Sequence, residues 1–206
     1  MLKLYYAPGT ISIAVAITLE EAGLPYDAVK IDFRSAEQTL PDYLAINAKG
    51  RVPALGLQDG TVLTETGALL EYIAALSPAA KLVPADPIQA AQMRSAMYYL
   101  ASTMHVAHAH KMRGSRWAKQ QSSFDDMAAM VPQTMAACAT HVETHLLRGT
   151  CVLGQDFSIA DPYLFVICNW LEGDGVNVAD YPKIQKFMTE METRKSVVNI
   201  RKKAML

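Results

Sequence analysis

Hydrophobic and polar positions divide the first part of the chain into alternating strands and helices. An apolar and aromatic run at 2–6 is followed by a Pro-Gly pair, which predicts a strand and then a turn. Helical spacing over 11–22, ended by a glycine and a proline, predicts a helix, and residues 26–32 predict a second strand. A strand, a helix and a strand in this order predict a parallel pair joined by a crossover helix.

The segment that follows predicts an antiparallel hairpin flanked by helices. A short helix is expected at 40–46. The apolar runs 52–57 and 61–63 are joined by an Asp-Gly pair, which is typical of a tight hairpin turn. A further helix is expected over 65–76. The order βαβ followed by ββα is the plan of the thioredoxin fold, so we expect an α/β N-terminal domain.

The pattern from residue 87 onward is helical, and no further strand is predicted there. A proline-rich stretch separates the two parts. We therefore expect a thioredoxin-like domain at 1–78, a linker at 79–86 and an all-α helical domain at 87–206. The helices expected in that domain are 87–113, 121–147, 159–171, 181–192 and 194–204.

The amino-acid composition restricts the classes of protein to which the chain can belong. Of the 206 residues, 51% are hydrophobic and 19% are charged, which is enough apolar material for a folded core. The 19 basic and 20 acidic residues nearly cancel, which argues against binding to nucleic acid or to an anionic membrane. Three cysteines are too few for a disulfide scaffold, so a reducing, cytoplasmic setting is expected, with no signal peptide and no membrane span.

Two dipeptides in the N-terminal part have the chemistry to bind an extended ligand. Proline cannot donate to a sheet, so Pro53 belongs at the start of its strand. A cis peptide bond there would expose the backbone N–H and C=O of Val52 to a peptide, and an ordinary trans proline is the alternative. Glu65 and Thr66 open a helix, where a carboxylate, a hydroxyl and free N–H groups suit a zwitterionic amino-acid end. Simple capping of the helix is the alternative.

Hydroxyl groups near the start of the first helix are candidates for stabilising a thiolate. Thr10 and Ser12 lie where the positive end of the helix favours an anion, and either hydroxyl could donate a hydrogen bond to it. Tyr5 and Tyr6 end the first strand and point to opposite faces, so one of them could reach the same place with its phenol. Capping of the helix by a hydroxyl is the alternative.

Pairs of histidines in two helical segments are candidate metal ligands. His105 and His108 are three residues apart, and His141 and His145 are four apart, so each pair shares a helix face. No cysteine or carboxylate close in sequence completes the first set, and the second pair does not match the His-Glu-x-x-His motif. We expect histidines that line a pocket or face solvent, and no metal.

Five segments in order resemble the cytosolic glutathione transferases, and most closely the bacterial beta class. The similarity covers nearly the whole chain. It includes Ser158 and Asp161, which predict a capping box and which the resemblance implies to be structural. The five segments are 3–9, 42–47, 49–55, 63–66 and 157–165.

The resemblance implies a homodimer with one glutathione site in each thioredoxin-like domain, and a role in detoxification. It implies that the bond before Pro53 is cis and that Val52 pairs through its backbone with the cysteinyl unit of glutathione. Glu65 and Thr66 would hold the γ-glutamyl end. The full set of glutathione-binding residues implied is Arg34, Lys49, Arg51, Val52, Pro53, Glu65 and Thr66.

One departure from the family pattern changes the expected chemistry. Ile11 stands in the place of the beta-class cysteine, which excludes a thiol–disulfide mechanism through that position. The resemblance then implies that Ser12, Thr10 or Tyr6 stabilises the thiolate of glutathione. His105 falls where the beta class carries a pocket histidine that faces the sulfur.

The function implied is that of a glutathione transferase, in which the thiolate attacks a small, partly apolar electrophile to give a thioether. The alternatives are a glutathione-dependent peroxidase or reductase of the same fold, and a transferase-like protein that binds glutathione or another ligand without turnover. No nucleic acid, membrane or metal partner is expected. The residues expected to shape the electrophile pocket are Met104, His105, His108, Met112, Trp117 and Trp170.

Overall fold

The first part of the chain forms a four-stranded mixed sheet. A computed structural model describes residues 1–206, and its strands are β1 (Leu2–Tyr6), β2 (Tyr26–Lys30), β3 (Ala54–Gly56) and β4 (Val62–Thr64). In the order β2-β1-β3-β4, β1 runs parallel to β2 and antiparallel to β3, and β4 pairs with β3 as a hairpin. This arrangement confirms the expected α/β thioredoxin-like architecture.

Three helices accompany the sheet, and the first of them lies at the centre of the core. They are α1 (Ser12–Glu21), α2 (Pro41–Ile46) and α3 (Thr66–Leu76). Every residue of α1 from Ser12 to Leu19 is buried, and the helix packs against β1 and α3. Leu4 of β1 is fully buried whereas Lys3 is exposed, as the alternation of side chains along a strand requires. Packing therefore fixes the start of α1, where the candidate hydroxyls lie.

The second part of the chain is helical, apart from two isolated β-bridges in the loop at 151–156. None of the helices combines the length and the hydropathy that spanning a bilayer requires. The helices are α4 (Pro87–Tyr99), α5 (His105–Ala109), α6 (Gln121–His141), α7 (Ala160–Cys168) and α8 (Pro182–Thr193), followed by α9 (Lys195–Lys202).

Two of the predicted helices are less regular than expected. The helix predicted over 87–113 ends at Ala109, and the helix predicted over 121–147 is α-helical only as far as His141. Both contain a π-helical turn. Because a π-turn widens the hydrogen-bond spacing locally, an analysis based on 3.6 residues per turn does not reveal it. The two π-helical turns are Leu100–Met104 and Val142–Leu146.

The start of α7 is held by a buried serine and aspartate. The Asp161 carboxylate is fully buried and accepts hydrogen bonds from the N–H of Val152 at 2.7 Å and from the N–H and hydroxyl of Ser158 at 2.7 and 3.0 Å. The Ser158 hydroxyl in turn accepts from the N–H of Ala160 at 3.3 Å. The pair therefore works as a capping box, and it also secures Val152, which lies outside the sequence motif.

The C-terminal residues belong with the first part of the chain. The chain divides into two compact units, one of residues 1–84 with 192–206 and the other of residues 85–191. The sequence placed 192–206 in the helical domain, but α9 packs against α1. Glu21 of α1 accepts from the Arg194 guanidinium at 2.7 and 2.8 Å and from the Ser196 hydroxyl. These partners lie 173 and 175 positions from Glu21, too far for a local pattern to show.

Acid should weaken this attachment. Burial raises the pKa of Glu21, but the hydrogen bonds from Arg194 and Ser196 outweigh burial and hold the pKa below its usual 4.5. Because the unfolded chain binds this proton more readily than the folded one, the contribution to stability is present above the unfolded pKa. It is lost as the pH falls through the lower, folded pKa.

The measurement is thermal melting from about pH 7 down to about pH 3. We expect Glu21→Gln to lower the Tm near neutral pH and to make the further loss of Tm in acid shallower than in the wild type. Parallel curves for the two proteins in acid would contradict the role assigned to Glu21.

Candidate active site

The loop before β3 presents backbone groups that no other residue uses. The peptide bond between Val52 and Pro53 is cis, which rules out the ordinary trans alternative. The strand predicted over 52–57 begins only at Ala54, and neither the N–H nor the C=O of Val52 is hydrogen-bonded within the chain. Since extended peptides bind through such groups, Val52 can pair with the backbone of a ligand.

Two buried side chains fix the residue before Val52. The Arg51 carbonyl accepts hydrogen bonds from the Tyr43 hydroxyl at 2.7 Å and from the Asn47 side-chain amide at 2.6 Å. Burial raises the pKa of Tyr43 to about 12, so its hydroxyl keeps its hydrogen at neutral pH. Sequence reasoning missed both as site residues. Their membership of the similar segment 42–47 was the one signal that could have found them.

A carboxylate lies at the start of α3 in an unfavourable backbone conformation. Glu65 has φ 73° and ψ 118°, a conformation that costs a non-glycine residue about 1–3 kcal/mol. The Glu65 side chain makes no capping hydrogen bond, so it does not serve simply to cap the helix. Strain of this kind is kept where surrounding structure and function require it, which makes Glu65 a candidate for ligand binding.

The Glu65 carboxylate pairs with a lysine from the loop before β3. The Lys49 ammonium bonds to the carboxylate and also donates to the Thr64 hydroxyl at 2.9 Å. The side chains of Lys49 and Glu65 are 46% and 67% exposed, so a ligand can reach both. An exposed pair of this kind contributes only about 0–1 kcal/mol to stability. The pair is therefore free to exchange partners with a charged ligand at little cost.

Two hydroxyls share hydrogen bonds at the start of α1. The Thr10 hydroxyl lies 2.7 Å from the Ser12 hydroxyl and donates to the Ala7 carbonyl at 2.8 Å. The Ser12 oxygen accepts from the Ala7 N–H at 3.2 Å and lies 3.2 Å from the Ala7 carbonyl, to which it can also donate. Ser12 is fully buried, whereas Thr10 is half-buried. Each hydroxyl holds one hydrogen, so one hydroxyl can satisfy the Ala7 carbonyl while the other turns to another acceptor.

The remaining candidates in this unit are placed as follows. Ile11, in the position of the beta-class cysteine, is 5% exposed and carries no reactive group, and Tyr6 is 8% exposed in β1. Thr66 is buried in the first turn of α3. The side chains of Arg34 and Arg51 are exposed and make no ion pair within the chain.

The two predicted pocket histidines both contact one tryptophan in the helical unit. The rings of His105 and His108 lie 5.1 and 4.2 Å from that of Trp170, measured between centroids. Asp174, which sequence reasoning missed, hydrogen-bonds to Nδ1 of His108 at 2.6 Å. The two residues are 66 positions apart, and no motif joins them.

The other residues predicted for the electrophile pocket differ in exposure. Met104 is fully buried in the helical core, whereas Met112 is 82% exposed. Trp117 is 47% exposed and contacts the ring of His110 edge to face at 4.6 Å. Met104 therefore contributes to packing rather than to an open surface.

The second histidine pair and the three cysteines do not form a metal site. The rings of His141 and His145 lie 5.3 Å apart, and His141 also packs on Tyr99. No group of three or more histidine, cysteine, aspartate or glutamate side chains is arranged to hold a metal ion. The three cysteines are free thiols, and all are buried: Cys138, Cys151 and Cys168.

Comparison with known proteins assigns the chain to a family. Residues 1–75 match the model described as glutathione S-transferase, N-terminal domain, and residues 117–195 match glutathione S-transferase, C-terminal domain. The chain is 31% identical over 198 residues to the glutathione S-transferase GstA of Escherichia coli O157:H7, with 95% of each chain covered. The chain belongs to the glutathione S-transferase family.

Two solved structures extend this comparison for the glutathione S-transferase. A glutathione transferase homolog from Sulfitobacter, solved with bound glutathione, is 71% identical with a TM-score of 0.99, covering 100% of this chain and 99% of the other. The beta-class glutathione S-transferase of Sphingomonas chungbukensis is 31% identical with a TM-score of 0.85, and 98% of both chains is covered. The predicted similarity to the bacterial beta class is confirmed.

Proposed function

We propose that this glutathione S-transferase ionises the thiol of glutathione and adds the thiolate to a small, partly apolar electrophile, giving a thioether. The observation that carries the proposal is the hydroxyl pair of Thr10 and Ser12, 2.7 Å apart at the start of α1. The helix end favours an anion, and the pair has a hydrogen that it can direct to one. The glutathione bound to the Sulfitobacter homolog, 71% identical to this chain, supports the same co-substrate.

The ligand would lie extended along the loop before β3. Its cysteinyl unit pairs through the backbone with the N–H and C=O of Val52, which have no partner within the chain. Its γ-glutamyl ammonium faces Glu65, and its γ-glutamyl carboxylate faces Thr66 in the first turn of α3. Lys49 already pairs with Glu65, so the ammonium of the ligand shares or replaces that contact.

The greater exposure of Thr10 favours its hydroxyl over that of Ser12 as the donor to the sulfur. If Ser12 donates to the Ala7 carbonyl, that acceptor is satisfied and the Thr10 hydroxyl can turn towards the thiolate. Thr10 is half-buried, whereas Ser12 and Tyr6 are almost completely buried and less able to contact a ligand. Ser12 then acts as a positioning residue, through Ala7 and Thr10.

These groups can supply the energy that ionisation needs. Lowering a thiol pKa from about 8.5 to about 6.5 corresponds to about 3 kcal/mol, at about 1.36 kcal/mol for each unit. A hydrogen bond to an anion contributes about 1.5–3 kcal/mol, and a helix end adds about 0.3–1 kcal/mol. One hydroxyl and the end of α1 are therefore sufficient in magnitude.

Thr10→Val should raise the pKa of the bound thiol by about 1–2 and lower kcat/KM at neutral pH by about tenfold or more. The loss should shrink as the pH rises, because the fraction of thiolate recovers. The ultraviolet absorbance of the thiolate against pH gives the pKa directly, and conjugation of an aryl halide gives the rate. Thr10→Ser is the matched control, because it keeps the hydroxyl. An unchanged thiol pKa in Thr10→Val would overturn the role given to Thr10.

The same site would serve a peroxidase or a ligand carrier, so the assays must separate these. A mechanism through a protein thiol lacks support, because all three cysteines are buried and burial raises the pKa of Cys168. Parallel assays with an aryl halide and an organic hydroperoxide distinguish conjugation from peroxide reduction, and tight binding with neither activity would favour a carrier. Assembly as a homodimer, a cytoplasmic location and a role in detoxification belong to this proposal on the strength of the family resemblance.

A further inference from the structure

The turn that precedes Thr10 has a backbone N–H that the turn itself does not use. Pro8 and Gly9 occupy its two central positions, and the Thr10 N–H closes it on the Ala7 carbonyl at 3.3 Å. Gly9 has φ 66°, and a proline followed by a glycine with positive φ is the pattern of a type II turn. The closing hydrogen bond joins the first and fourth residues, so the N–H of Gly9, the third residue, is left for another partner.

Met205, which lies three residues beyond the end of α9, supplies that partner. The Gly9 N–H donates to the Met205 carbonyl at 3.0 Å. Both residues belong to the same compact unit, formed by residues 1–84 and 192–206. Pro8 and Gly9 are exposed, whereas Met205 is 1% exposed. The hydrogen bond therefore joins a turn at the surface to a residue in the interior.

The closure of α9 holds the Met205 carbonyl in place. Ala204 has φ 51°, and its N–H donates to the Arg201 carbonyl at 2.9 Å. The Met205 N–H reaches back to the Ile200 carbonyl at 3.2 Å. A left-handed residue with these two returning hydrogen bonds forms a Schellman motif, which is commonly accompanied by an apolar contact between the residues at the positions of Met205 and Ile200. Both of these residues are buried, so packing and backbone bonds fix the carbonyl together.

α9 is in turn attached to the far end of α1. Glu20 accepts hydrogen bonds from the Asn199 amide at 2.9 Å and from the Lys203 ammonium at 2.6 Å. Glu21 is held by the first residues of α9 and the residue before them, as described above. α9 therefore packs along α1 and contacts the residues on both sides of it: the carboxylates at its end and, through Met205, the turn before its start.

We propose that Met205 is a positioning residue for the thiolate of glutathione, because its carbonyl fixes the Gly9 N–H and with it the direction of the Thr10 hydroxyl. The inference rests on the proposed function and deepens it by naming the residue that holds the donor in place. A hydrogen bond weakens steeply when its angle falls below about 120°. A turn without this attachment would rotate more freely and would lose part of the stabilisation of the thiolate.

Met205→Gly tests the inference, because it removes the buried side chain that packs the carbonyl while it keeps the length and charge of the chain. The hydrogen bond to the thiolate should be weakened rather than lost, so the thiol pKa of bound glutathione should rise by about 1. The thiolate fraction then falls, and kcat/KM near pH 6.5 should fall by about fivefold. The ultraviolet absorbance of the bound thiolate against pH gives the pKa.

The affinity for glutathione should not follow the thiol pKa. At about pH 5.5 the bound thiol is largely protonated in both proteins, so the Kd measured there reports the contacts of the peptide alone. Met205→Gly leaves Val52 and Glu65 in place, and the Kd should therefore change by less than about twofold. A much weaker Kd at this pH, with the thiol pKa unchanged, would contradict a role for Met205 at the thiolate.

Two matched controls accompany the test. Met205→Leu keeps a buried apolar side chain of similar volume and should keep the wild-type thiol pKa. Leu206→Gly makes the same kind of change one position later, leaves the carbonyl that Gly9 uses, and should also keep it. A rise in Leu206→Gly as large as that in Met205→Gly would overturn the inference. The Tm shows whether Met205→Gly is folded, and Met205→Ala replaces it if it is not.

The combination of Met205→Gly with Thr10→Val separates positioning of the donor from a general loosening of the site. If Met205 acts through Thr10, the thiol pKa of the double variant should match that of Thr10→Val alone to within about 0.3. A rise that adds fully to that of Thr10→Val would overturn the inference, because the effect would then lie outside the hydroxyl.

The failure of this inference can be told apart from the failure of the proposed function. An unchanged thiol pKa in folded Met205→Gly, together with a raised one in Thr10→Val, would overturn the role of Met205 and leave the role of Thr10 intact. An unchanged thiol pKa in Thr10→Val would overturn the donor role of Thr10, and this inference with it.

Discussion

Asp161→Ala should destabilise the protein by about 3–5 kcal/mol. The Asp161 carboxylate is fully buried and accepts hydrogen bonds from the N–H and hydroxyl of Ser158 and from the N–H of Val152. Removing it leaves two buried N–H groups without an acceptor, each at a cost of about 1–3 kcal/mol. The free energy of unfolding from urea titration measures the loss.

Asp156→Ala is the matched control for this prediction. Asp156 lies in the same loop, but it is exposed, so its replacement should change stability by no more than about 0.5 kcal/mol. The loss of stability in Asp161→Asn should lie between those of Asp161→Ala and Asp156→Ala, because the amide keeps one acceptor oxygen and loses the charge. A loss below about 1 kcal/mol in Asp161→Ala would show that the buried pair is not what secures the start of α7.

Glu65→Ala should weaken glutathione binding by more than tenfold, which is about 1.4 kcal/mol or more. The Glu65 carboxylate is the acidic group proposed to receive the γ-glutamyl ammonium, and it is 67% exposed beside Lys49. Its strained conformation, with φ 73°, indicates that the fold holds it in place for a purpose other than stability. Isothermal titration calorimetry with glutathione gives the Kd.

Glu65→Gly separates binding from folding. Glycine adopts a positive φ without strain, so this variant should be at least as stable as the wild type while binding glutathione as weakly as Glu65→Ala. Weaker binding without a loss of stability is the result expected for a residue whose strained backbone conformation serves ligand binding. An unchanged Kd in either variant would count against the assigned γ-glutamyl site.

Local sequence patterns predicted the elements of the fold well. The strands and helices of the first unit occur in the predicted order because each is set by alternation or helical spacing within a few residues. The predictions differ from the structure at the irregular turns of the helices. The π-helical turns at Leu100–Met104 and Val142–Leu146 keep helical propensity while changing the spacing, so composition alone merges them with their neighbours.

The candidate site could be predicted only where its residues lie in short motifs. Val52 and Pro53 stand out because a proline at the start of a strand is visible in sequence. By contrast, the bracing of the Arg51 carbonyl by Tyr43 and Asn47 depends on where a backbone oxygen points. Side-chain patterns carry no information about that direction.

Pairs distant in sequence were missed for a related reason. His108 and Asp174 are 66 positions apart, and Glu21 and Arg194 are 173 apart. Each pair forms because tertiary packing brings two elements together. The local sequence pattern of either element does not show which distant residue it contacts. Sequence reasoning therefore selected His108 without the carboxylate that orients it.

The structure of this protein crystallised with glutathione would test the proposed thiolate site directly. We expect an extended tripeptide whose cysteinyl backbone pairs with Val52 and whose sulfur lies within about 3.5 Å of the Thr10 hydroxyl, a usual distance for a hydrogen bond to sulfur. A tripeptide bound away from Val52, or a sulfur that contacts no hydroxyl at the start of α1, would contradict it.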